Sequence, residues 1–96
     1  MLERDVEKHL VKRVKAAGGI AYKFTSPGRR SVPDRLVLMP PDLLDDSQRA
    51  IFVELKAPGK TATPAQLREH GRLRDLGFRV EVIDTKEGVD AFMLTL

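Results

Sequence analysis

Asp34, Glu54 and Lys56 are the residues of this chain whose types and spacing most readily support chemistry. Two carboxylates and an amine suit phosphodiester hydrolysis, which needs an activated water, relief of charge in the transition state and help for the leaving oxygen. A divalent cation supplies much of this by polarising the phosphate and lowering the pKa of bound water. Hard cations such as Mg²⁺ take one or two carboxylates together with carbonyl, water and substrate oxygens. A neighbouring lysine orients the water and balances negative charge. Glu54 and Lys56 stand two apart in the strand-like run Ala50 to Lys56, so their side chains share one face. Ile51, Val53 and Leu55 then face the opposite way into a core, and the Leu55 carbonyl lies between the two polar residues as a third metal oxygen. Asp34 follows Val32-Pro33, a conformationally restricted approach. Singly, each piece has a plainer reading, a charged edge strand for Glu-X-Lys and a turn for Pro-Asp.

Two further residues fit around these three. Glu3 falls near the middle of the apolar arc made by Val6, Leu10 and Val14 in the first helix, and Glu7 falls towards its edge. A carboxylate in an apolar stripe needs a partner, which a metal or its bound water supplies; the alternative is a solvated helix start, where acids suit the macrodipole. Gln66 shares a stripe with His70, Leu73 and Gly77 of a later helix. It can orient water or phosphate, close a capping box with Thr63, or do both. His9 and His70 lack ligand-like spacing and read as surface or internally satisfied histidines.

The elements that position these residues follow from periodicity and turn chemistry. Residues 2–17 predict a helix, with Gly18-Gly19 as its stop. Strands are expected over residues 20–24, 34–39, 50–56 and 78–83, with Pro27-Gly28 and Pro40-Pro41 as breaks and residues 42–49 as a loop. Thr63 as N-cap and Pro64 at the first helical position start a helix that runs to about Leu76, with Gly77 closing it. Residues 84–87 cap a last helix reaching towards Leu94, weakened by Gly88. The order is α-β-β-β-α-β-α. Hairpin pairing of the first three strands and a parallel crossover into the fourth make a mixed α/β sheet flanked by helices.

Composition excludes several classes. Ninety-six residues with 42% hydrophobic and 32% charged content suit one soluble domain over residues 1–96. No cysteine is present, so disulfide frameworks and thiolate metal sites are ruled out. No apolar run approaches the ~18 residues that span a bilayer, and the charged start Met1 to Asp5 leads into no signal-like core. A cytoplasmic protein without a membrane role is expected. The net charge of +3 is modestly basic, with Lys8, Lys12, Arg13 and Lys15 on the first helix and Lys23, Arg29, Arg30 and Arg35 around the next loop. Such clusters attract polyanions.

Pro33-Asp34, twenty residues, then Glu54-Leu55-Lys56, each flanked by strand-like sequence, is the pattern of the PD-(D/E)XK nuclease superfamily. Over nearly its whole length the chain resembles the VRR-NUC family, the virus-type replication–repair nuclease domain. The resemblance is carried by Glu3 and Glu7, Gly18-Gly19, Tyr22-Lys23-Phe24, Ser26-Pro27-Gly28, Val32 to Arg35, Phe52 to Gly59, Pro64 with Gln66, and Leu76-Gly77. It implies a restriction-endonuclease-like core and a Mg²⁺- or Mn²⁺-dependent DNA endonuclease. Asp34 and Glu54 match the metal-binding acids, Lys56 the catalytic lysine, Glu3 the helix acid and Gln66 the later glutamine. Arg29, Arg30, Arg35 and Lys23 are expected to hold phosphates. Ser31 stands where the family usually has glycine, which puts the geometry of that loop in question. Single-domain members resemble phage and bacterial proteins acting on branched DNA in repair and recombination. This implies a homodimer that makes two symmetric cuts as a Holliday-junction resolvase does, in a bacterial cell or phage-infected host. Residues 91–94 are equally suited to the dimer interface or the core. The rival expectations are a nickase, flap or less selective nuclease with the same site, and a DNA-binding module without activity.

Overall fold

A computed structural model describes residues 1–41 and 49–96. The elements run α1 (Glu3–Ala16), β1 (Ile20–Lys23), β2 (Arg35–Leu38), β3 (Ala50–Leu55), α2 (Pro64–Asp75), β4 (Arg79–Ile83) and α3 (Lys86–Met93). The order expected from sequence is the order found. Each element is slightly shorter than its periodicity suggested, because the end residues leave the regular ladder while keeping single bonds. Phe24 N–H still donates to the Asp34 carbonyl at 2.8 Å, and Lys56 N–H to the Ile83 carbonyl at 3.0 Å. The loop expected over residues 42–49 lies outside the described residues except for Arg49.

The sheet order is β1-β2-β3-β4. β1 pairs antiparallel with β2 and β2 antiparallel with β3, whereas β3 and β4 are parallel, with Glu54 opposite Val82 and Leu55 opposite Ile83. Val6, Leu10 and Val14 of α1 are wholly buried and cluster with Val37, Ile51, Val53, Leu55, Ile83, Val89 and Phe92. This cluster is the core, between one sheet face and the α1–α3 pair. Strand alternation turns Phe52 and Glu54 to the opposite face. There Phe52 stacks against Phe24 and Phe78 at centroid distances of 5.4 and 5.8 Å.

Two tight places fix how α1 meets the sheet. Gly18 ends the helix at φ +86, a left-handed conformation that glycine adopts without strain. Gly19 lies so close to β2 that a Cβ there would sit 2.6 Å from the Leu38 carbonyl oxygen. Ser31 is free of the conformational problem a lost glycine would pose, since no described non-glycine residue has positive φ. In the C-terminal run, Phe92 is buried and Met93 packs on the core, while Leu94 points outward. That run therefore serves the core first.

Candidate active site

Asp34 and Glu54 come from neighbouring strands, and backbone pairing sets their approach. Asp34 immediately precedes β2, and its Oδ2 accepts the Leu55 N–H at 2.8 Å. That bond holds the Asp34 carboxylate over the end of β3, beside Glu54. The Glu54 side chain is nearly inaccessible, at 2% exposed. Its Oε2 accepts Gln66 Nε2 at 3.2 Å and lies 3.9 Å from Lys56 Nζ. Its Oε1 is buried with no hydrogen-bond partner. Burial, and then the Asp34 carboxylate next to it, push the Glu54 carboxyl up to about 8 against the opposing pull of Lys56.

Gln66 closes the capping box expected of it and also reaches Glu54. Its Oε1 accepts the Thr63 N–H at 2.9 Å while its own N–H donates to Thr63 Oγ1 at 3.1 Å, a complete capping box. The amide nitrogen is thereby aimed at Glu54. Past Lys56 the chain turns at Gly59, whose N–H donates to Asp84 Oδ2 at 2.9 Å, so the end of β4 anchors the segment that follows the lysine.

The two helix acids divide cleanly. Glu7 receives Arg35 Nε at 2.8 Å and is taken up in an ion pair. Glu3 is exposed at the head of the buried stripe, near enough to Glu54 that its charge helps raise that carboxyl. Of the two, Glu3 is the one whose charge reaches Glu54, while Glu7 is engaged by Arg35.

Two expectations are corrected. His70 is neither a surface histidine nor a satisfied one: it is wholly buried, with both ring nitrogens unpartnered and Nε2 3.7 Å from Glu54 Oε1. Its position four residues after Gln66 was the available signal, and the lack of a sequence-adjacent ligand partner hid it. Burial first, then the charges of Arg74 and Lys56, hold its pKa below the ordinary value. Arg35 is not an open phosphate ligand. Its guanidinium is tied to Glu7 and to the Ala21 carbonyl at 3.0 Å. Of the other expected phosphate ligands, Lys23 and Arg30 are exposed and Arg29 pairs with Glu69 at 2.9 Å. His9 is satisfied as expected, bonded to Asp90 at 2.7 Å.

Among the described residues no three His, Cys, Asp or Glu side chains form a ready metal cluster. The donor set that is present nevertheless fits a hard divalent cation, which takes few protein carboxylates and keeps water and substrate oxygens. Two carboxyls crowd together, and one presents a buried oxygen with no hydrogen-bond partner. A cation beside them would relieve the repulsion that raises Glu54.

A mixed four-stranded sheet, a Pro-Asp before β2 and a Glu-X-Lys ending β3 define a nuclease core of the PD-(D/E)XK type. No family model matches the chain. A protein named "Putative nuclease p44", from Acyrthosiphon pisum secondary endosymbiont phage 1, is 56% identical over 85 residues, covering 88% of this chain and 85% of that protein. A solved structure described as a VRR_NUC domain superposes with a TM-score of 0.83 at 34% identity, over 96% of this chain and 94% of its own. The chain belongs to the VRR-NUC nuclease family.

Proposed function

We propose that this chain is a Mg²⁺- or Mn²⁺-dependent endonuclease that hydrolyses phosphodiester bonds of DNA, working as a homodimer on branched DNA such as four-way junctions. The observation that carries this reading is the convergence of Asp34, Lys56 and Gln66 on one buried carboxylate, Glu54. Asp34, Glu54 and the Leu55 carbonyl would hold the cation. When bound, it would polarise the scissile phosphate and acidify a water. Gln66 keeps Glu54 Oε2 in place, so the carboxylate does not turn away from Asp34. Lys56, with a side chain only 14% exposed and its Nζ 3.9 Å from Glu54 Oε2, positions the attacking water and balances charge that develops on the phosphate. Glu3 supports the outer part of this shell. Lys23, Arg29 and Arg30 hold the DNA backbone. The setting is the cytoplasm of a bacterial cell or phage-infected host; no helix among the described residues is long and apolar enough to cross a membrane.

The proposed catalytic residues form one cluster per chain, so a lone protomer cuts one strand. A two-fold dimer would give the paired cuts that junction resolution requires, whereas a monomer would act as a nickase or flap endonuclease. A panel of junctions, flaps and linear duplexes with mapped cut positions, run with Mn²⁺ and with EDTA, separates the two: symmetric paired nicks support the dimer. Asp34→Asn and Lys56→Ala should each lower metal-dependent cleavage by at least about 100-fold. Full cleavage by either variant would exclude this site, and binding without cleavage under every metal would leave a DNA-binding module.

A further inference from the structure

Beside the carboxylate site, α2 carries a second stripe. Gln66 and His70 turn towards Glu54, and Ala65, Arg68, Glu69 and Arg72, spaced i, i+3, i+4 and i+7, form the neighbouring face of the same helix. That face and the turn after β1 enclose an open cleft of ≈ 350 Å³, whose polar lining is Arg29, Arg30, Ser31, Arg68, Glu69 and Arg72. The turn is fixed by the Arg29 N–H donating to the Ser26 carbonyl at 3.1 Å. Glu69 is only 8% exposed, and its Oε1 receives Arg29 Nη1 at 2.9 Å and lies 3.5 Å from Arg72 Nε. One carboxylate thus orders two guanidiniums from separate elements. Arg30 and Arg68 are exposed and have no ion pair among the described residues. Four cations against one carboxylate leave this cleft with an excess equal to the formal charge of the whole chain, +3. The first turn of α2 contains no acidic residue to offset its positive end.

We propose that this cleft is a binding site for the phosphodiester backbone flanking the scissile bond, with Arg68 and Arg72 as phosphate ligands alongside Arg29 and Arg30. The proposal rests on the DNA-nuclease reading and gives the strand its path, from the carboxylate pair across α2 to the turn at residues 26–31. No aromatic side chain lines the cleft, so it offers bases no ring to stack on. It reads charge and spacing, not sequence. Arginine suits the task, since its planar fork takes phosphate oxygens two at a time. The basic face of α1, with Arg4, Lys8, Lys12 and Lys15, is the competing surface. It belongs to a helix packed on the other side of the sheet, where Arg35 is already held by Glu7.

The test measures the affinity of the full chain for a fluorescent DNA junction in EDTA across a salt series. Each lost phosphate contact lowers the slope of log K against log salt by about 0.9. Arg68→Ala with Arg72→Gln should lower the slope by about 2 and weaken binding roughly fifty-fold at about 0.1 M salt. Arg68→Ala alone, which breaks no ion pair among the described residues, should lower it by about 1. Lys8→Ala with Lys12→Ala should leave the slope unchanged. A wild-type slope in both arginine variants, or a loss confined to the α1 variant, overturns the proposal. Mn²⁺-dependent cutting by wild type, measured in parallel, tests the nuclease reading separately: wild type that cuts while both arginine variants bind normally sinks only the cleft. Base-sequence dependence of the lost affinity would also count against it.

Discussion

Glu54 and His70 face one another across 3.7 Å without a hydrogen bond. Both are buried, and burial moves them in opposite senses, Glu54 up to about 8 and His70 below its ordinary value. A carboxyl with a raised folded pKa stabilises the fold fully below its unfolded value of 4.5, and that contribution is lost as the pH rises through about 8. A histidine with a lowered folded pKa stabilises fully above 6.5, and its contribution is lost as the pH falls through the depressed value. The metal-free site is therefore pressed from both sides of neutrality. In EDTA at about pH 9, Glu54→Gln should melt above wild type by about 5 °C or more, with the gap closing as the pH falls towards 4.5. Melting curves that run parallel across that range would contradict the Glu54 assignment. His70→Gln should flatten the acid limb below 6.5 and leave the alkaline limb in place, read from the same melting series.

At the scale of elements, the start of α2 joins local folding to the site. The Thr63 hydroxyl and backbone both bond Gln66, and Gln66 holds Glu54. Thr63→Ala should cost about 1 kcal/mol, a fall in Tm of roughly 4–8 °C for a domain of this size. It should also lower cleavage, while Thr63→Ser restores both; unchanged cleavage in a folded Thr63→Ala protein would separate the cap from the site. The α1–β1 connection makes a second case. Gly19→Ala should destabilise more than Gly18→Ala, although Gly18 has the positive φ, because the new Cβ at Gly19 meets the β2 backbone. Denaturant midpoints of the two variants decide the order. Helix starts and stops of this kind were legible in the sequence because caps and glycine stops act over a few residues. The trimmed strand ends were less so, since ladder termination depends on the partner strand.

For the whole molecule, one apolar cluster ties α1, α3 and the sheet together. Leu10 is wholly buried within it, so Leu10→Ala should cost about 2–5 kcal/mol, a large share of the total for a small domain. Circular dichroism should show that variant largely unfolded at about 45 °C while wild type remains folded. Across the surface of this core, His9 of α1 and Asp90 of α3 bond at 2.7 Å, and Arg13 joins the same carboxylate. The sheet thus carries its main apolar cluster on one face and the Glu54 carboxylate, beside a smaller aromatic cluster, on the other. That division lets the Glu54 face keep buried polar atoms that the apolar cluster could not accept.

Residue order alone determined the α-β-β-β-α-β-α sequence, the mixed sheet, the shared face of Glu54 and Lys56, and the capping role of Gln66. Each follows from a repeat of 2 or 3.6 residues or from turn chemistry within a few positions. Tertiary structure alone decided which charges meet. Arg35 found Glu7 across 28 positions, Arg29 found Glu69 across 40, and His70 was sealed beside Glu54. No local period encodes such pairings, since they arise when separately formed elements pack and low-dielectric burial requires partners for charge. Packing thus engaged Glu7 with Arg35 and left Glu3 exposed, and it set two arginines against one buried carboxylate beside the site that the sequence had announced.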